Sequence, residues 1–103
     1  MDKFYNEWTF TGDIFYWKEL DAGDFTLSLK LRGRACRVGT ISGQIAEISC
    51  LVDNDLHQLL LDRKIKQYDT VTLQGHIEQW LTSKHGRPLN KIMLIADYLV
   101  EDK

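Results

Sequence analysis

From Phe25 to Arg32 the chain alternates without a break, Phe25, Leu27, Leu29 and Leu31 against Thr26, Ser28, Lys30 and Arg32. Successive side chains of a strand point to opposite faces, so this period predicts a strand with one buried and one wet face. A looser alternation covers residues 7–17, where Trp8, Phe10 and Ile14 oppose Thr9, Thr11 and Asp13. It returns over 68–80, where Val71, Leu73 and Ile77 oppose Thr70, Thr72, Gln74, His76, Glu78 and Trp80. Residues 37–52 predict a long third strand whose second half puts Ala46, Ile48, Cys50 and Val52 on one face. Over 53–65 the period changes: Leu56, Leu59, Leu60 and Arg63 sit at helical spacing, and Asp53 or Asn54 can accept bonds from the first-turn amides. Residues 92–100 predict the last strand, after a long hairpin loop over 81–91, and shorter turns fall at 19–24 and near 33–36. Trp8, Phe10 and Phe25 are expected in the core.

Glycines sit inside three of these strands. Gly12, Gly75 and the pair Gly39 and Gly43 offer no side chain to pack, so each weakens its strand unless the backbone must bend or another chain segment must come close. Long antiparallel strands that bend, ordered three strands, one helix, two strands, describe an all-β OB-fold, the five-stranded Greek-key barrel with its short helix between strands 3 and 4. The 103 residues, 44% of them hydrophobic, suffice for this one domain, spanning 1–103, without disulfide or metal support. No leader-like opening and no long apolar run is present, so a cytoplasmic protein away from membranes is expected, with Cys36 and Cys50 buried and reduced.

The net charge of −2 argues against indiscriminate attraction to polyanions, yet charge is segregated along the chain. Between Asp24 and Glu47 lie Lys30, Arg32, Arg34 and Arg37 and no acid, and a second acid-free cluster holds Lys84, His85, Arg87 and Lys91. Six acids crowd the first 24 residues. Catalysis finds little to work with. His57, His76 and His85 are dispersed over a helix, an exposed strand face and a loop, each read as a solvated surface group. No nucleophile elbow, phosphate loop or zinc motif occurs, so neither an enzyme, a metal nor a cofactor is expected.

With the element order in hand, "FTGDI" at 10–14, residues 46–80 and "HGRPLNKIMLIADYL" at 85–99 resemble the phage, plasmid and bacterial single-stranded DNA-binding (SSB) family. In that family a strand-1 glycine, a helix followed by a strand with an internal glycine, and a charged hairpin before strand 5 recur in this order. The late hairpin is also similar to that of PriB-type primosomal proteins, close relatives in fold and length. The resemblance implies single-stranded DNA as partner, in replication, recombination or restart, with replication proteins as further partners. One departure is the ending "LVEDK", without the acidic tail that recruits partners in the family, so the resemblance does not carry recruitment by that route over to this chain.

An OB barrel binds single strands on its strand 2–3 face and its 1–2 and 4–5 loops, with cations along the phosphates and aromatic rings under the bases. Lys30, Arg32, Arg34 and Arg37 on strands 2 and 3, and Lys84, Arg87 and Lys91 in the 4–5 loop, stand in those places. Phe15 and Trp17 have the parity opposite Ile14, and Trp80 the parity opposite Ile77, which turns all three outward as stacking candidates; a small second core or a subunit interface would also use them. The other readings are an OB-fold adaptor of a replisome or primosome, or an RNA-binding module, because a stacking platform does not by itself read the 2′-hydroxyl. Strand 5 is apolar on both parities and one barrel interior absorbs only one of them, so self-association is expected, as a dimer.

Overall fold

The computed structural model describes residues 6–21, 23–37 and 40–101, with the side chains of residues 35–37, 40–43, 82 and 84 outside that description. Five strands and one helix follow one another as β1 (Trp8–Glu19), β2 (Phe25–Arg37), β3 (Thr40–Asp53), α1 (Asn54–Asp62), β4 (Thr70–Lys84) and β5 (Arg87–Leu99). They close into a barrel in the order β1-β2-β3-β5-β4, with β4 returning to pair with β1. All neighbours are antiparallel except β3 and β5, which meet in parallel through Leu51–Ile95 and Val52–Ala96. This is the expected OB-fold barrel, with its helix between β3 and β4.

The inward face of each strand supplies the core. Ile14, Leu27, Leu29, Leu31, Cys50, Val52, Val71, Leu73 and Ala96 pack with Leu56 and Leu60 of α1, which covers one end of the barrel. The helix starts where Asp53 accepts the Leu56 N–H at 2.9 Å, satisfying one of the donors left free in a first turn. Burial pushes the Cys50 thiol up to about 12, so it stays protonated. The side chain of Cys36 lies outside the described residues.

Several expectations are corrected. The 33–36 turn is strand: β2 runs on to Arg37, which pairs with Thr40 of β3. The 81–91 loop is also strand, a ribbon paired as far as Lys84–Arg87, and it reverses through His85 and Gly86, both at positive φ (54° and 76°). That is the mirror-image turn whose twist matches a hairpin. Polar side chains on both ribbon faces hide the period that would have revealed it. Trp8 and Phe10 are half-buried against the core, whereas Phe25 stacks outside it on Trp80. His57 is buried, not solvated, with Nδ1 2.8 Å from the Thr26 hydroxyl and Nε2 3.5 Å from Glu19. Among the described residues no helix is long and apolar enough to cross a membrane.

Candidate nucleic-acid interface

The outer face of β2 carries Lys30, Arg32 and Arg34, all exposed, because Leu27, Leu29 and Leu31 take the inner positions. β1 supplies aromatic rings beneath the first two. Pairing between β1 and β2 is regular up to Ile14–Leu31, slips one residue at Phe15, and resumes as Tyr16–Lys30 and Trp17–Leu29. A bulge of this kind adds one residue and flips the parity beyond it. Tyr16 therefore comes to the outer face, where Lys30 Nζ lies 5.0 Å from its ring centre, and the Arg32 guanidinium lies 4.4 Å from that of Phe15. Both are cation–π distances.

The same slip turns Trp17 to the opposite side from the one its sequence parity suggested. Trp17 is half-buried against the core and meets His57 edge-on at 6.0 Å. Tyr16, absent from the sequence candidates, holds the outward place instead. The signal was its adjacency to Trp17, readable only with the bulge known.

Across the sheet, β2–β3 register sets Glu47 opposite Arg32, and Arg32 Nε donates to Glu47 at 2.9 Å. The acid-free stretch of sequence is thus not an acid-free surface. Beyond Arg34, which pairs with the exposed Ile45, an open concavity of about 750 Å³ lies between β1 and the β2–β3 arm, lined by Thr9, Thr11, Asp13, Arg32, Arg34 and Ile45 among others. The side chain of Arg37 lies outside the described residues.

The β4–β5 ribbon forms the second part of the surface. Trp80 is half-buried and pairs with the exposed Lys91, and Arg87 is exposed beside the turn, where the Lys84 side chain is outside the description. Trp80 stacks on Phe25 at 6.0 Å, tying the ribbon to the start of β2. Its indole N–H donates to Glu78 at 2.8 Å. His76, expected to be solvated, is half-buried between Glu78 and Asp97, whose hydrogen bonds raise its pKa above the ordinary value. Among the described residues no group of three or more His, Cys, Asp or Glu side chains is arranged to hold a metal ion.

No family model matches the sequence, and no curated protein matches it. Solved structures do. The Plasmodium falciparum SSB in complex with ssDNA superposes with a TM-score of 0.63 at 16% identity, over 98% of this chain and 99% of that one. The mitochondrial single-stranded DNA-binding protein Rim1 of S. cerevisiae gives 0.63 at 14% identity, over 96% and 98%. A small single-stranded DNA-binding protein from Mycoplasma pneumoniae gives 0.62 at 10%, over 95% and 88%. Through almost its whole length, the chain has the OB barrel of these single-stranded DNA-binding proteins.

Proposed function

We propose that the protein binds single-stranded DNA with little sequence preference and catalyses no reaction, serving replication, recombination or restart. The observation that carries this reading is the outer β2 face, where Lys30 and Arg32 lie over the Tyr16 and Phe15 rings on a barrel shared with a protein solved on ssDNA. Cations that track phosphates beside π-faces that take bases are what a sequence-tolerant single-strand surface needs. Trp80, Arg87 and Lys91 extend it along the ribbon.

Titration with oligo-dT, oligo-U and duplex, followed by tryptophan emission, tests the reading. Oligo-dT should bind and quench, and duplex should bind more weakly, because its bases offer no open face. Equal binding of oligo-U would move the reading to nucleic acid in general, and no response to any ligand at low salt would sink it.

Self-association is the second element of the proposal. The ribbon face that continues the barrel's inner parity exposes Leu81 (74%), Ile92 (66%) and Ile77 (41%), and strand register places them together. A second copy covering this stripe makes a dimer, because contiguous exposed apolar side chains mark interaction surfaces. Light scattering at micromolar concentration should give twice the chain mass, and Leu81→Glu with Ile92→Glu should return it to one; a parental monomer would remove the dimer.

A further inference from the structure

A chain of hydrogen bonds behind Trp80 uses both nitrogens of one imidazole. His76, Glu78 and Trp80 alternate along β4 and so share a face. The Trp80 indole N–H donates to Glu78 Oε1 at 2.8 Å, Glu78 Oε2 lies 2.7 Å from His76 Nε2, and His76 Nδ1 lies 2.5 Å from Asp97 Oδ2. Asp97 is the extra residue where β5 slips against β4, between Tyr98 opposite Gln74 and Ala96 opposite Gly75. Glu7 is the residue before Trp8, which pairs with Gly75 at the start of β1, and Lys91 stands opposite Trp80 on β5.

Ionised carboxylates only accept, so both contacts of His76 are hydrogen bonds only when both ring nitrogens carry protons. A neutral ring has one N–H. It would then set a nitrogen lone pair against a carboxylate oxygen at 2.7 Å or less, and one side of the chain must open. Glu78 is the more free to leave, being the more exposed of the two acids (40% against 32%).

We propose that doubly protonated His76 clamps the Glu78–Trp80 pair and so positions the indole for base stacking, and that loss of one proton releases the indole and weakens single-strand binding. This rests on the reading of the ribbon as part of a single-strand surface. Two effects then act in the same direction as pH rises. The ring loses its fixed orientation, and the patch beside the phosphates becomes one charge more negative. The hydrogen bonds His76 donates, to Asp97 first and Glu78 second, hold its pKa above the ordinary 6.5, which puts the change on the alkaline side of that value. Sign follows directly: a raised folded pKa means the clamp is complete below 6.5 and is lost as pH climbs through the folded value.

The test is oligo-dT affinity by anisotropy from about pH 6 to about pH 9 at constant ionic strength, with the emission of the free protein read in parallel. Affinity should fall by at least about fivefold, the lower end of what one stacked base contributes. Emission should change with the same midpoint. In His76→Gln, which keeps His57 and His85, both changes should vanish, and in Trp80→Phe the emission change alone identifies the indole by its loss. A flat affinity in the parent, or a pH dependence that survives in His76→Gln, overturns the clamp. If no oligonucleotide binds at any pH, the single-strand reading falls by itself, and emission that titrates only when His76 is present still establishes the clamp.

Discussion

Gly75→Val is expected to lower stability by about 3 kcal/mol or more, and Gly75→Ala to cost nearly as much. A Cβ built on Gly75 would lie 1.8 Å from the carbonyl oxygen of Ile95 and 2.8 Å from both its carbonyl carbon and Trp8 Cζ2. The first of those atoms is backbone, so no rotamer change relieves the clash. Relief requires β5 to move, and at Ile95 and Ala96 β5 is pinned between β4 and β3. Gly75 is thus where β4 bends tightly enough for β5 to slip a residue against it, which is how a short barrel closes. Thermal melting should show a drop of at least roughly 12 °C for Gly75→Val and nearly as large a drop for Gly75→Ala, at ~4–8 °C per kcal/mol in a domain of this size. Gly86→Ala in the ribbon turn is the contrast, since its Cβ would meet nothing within 4 Å and bears only the strain of a φ of 76°. Such strain costs about 1–2 kcal/mol. Melting of both Gly75 variants within two degrees or so of the parent would mean that the close approach of β5 is not a requirement of the fold.

That glycine illustrates what the sequence makes legible. Period-two alternation located β1 to β4, and helical spacing located α1, because burial of one face leaves a trace in residue type. A glycine on the buried parity of such a strand, flanked by continued alternation, signals close backbone approach. The bulge at Phe15 leaves no such trace: nothing in "DIFYW" says that one residue is skipped in pairing, so Trp17 reads as outward when it is packed against the core, and Tyr16 is overlooked. Cross-strand partners are equally silent. Glu47 lies well along the chain from Arg32, and only β2–β3 register makes them a pair. The cluster of Trp80, Glu78, His76 and Asp97 depends on both causes, alternation on β4 and a slip in β5.

Replacing Lys30 and Arg32 together by Gln is expected to weaken oligo-dT binding by about 25-fold at about 0.1 M salt and to flatten the salt dependence. Each phosphate neutralised on a single strand contributes about 0.7 to the slope of log affinity against log salt, so two lost contacts remove about 1.4. The aromatic rings they cover, Tyr16 and Phe15, remain and contribute stacking that salt barely touches. Geometry also orders the single variants. Lys30 faces Ser49 across the sheet, whereas Arg32 is already held by Glu47, so Lys30→Gln should cost the larger share and Arg32→Gln the smaller. Glu47→Gln should then act in reverse, strengthening binding and steepening the slope, because it frees the guanidinium for phosphate and removes a carboxylate that repels it. A surface ion pair of this exposure contributes little to folding, so all four proteins should melt within a few degrees of the parent and lost binding can be read as lost contact. The double variant keeping the parental slope would remove the β2 face from the binding path. Glu47→Gln without effect at any salt concentration would show that Arg32 reaches no phosphate, leaving Lys30 and the ribbon to carry the strand.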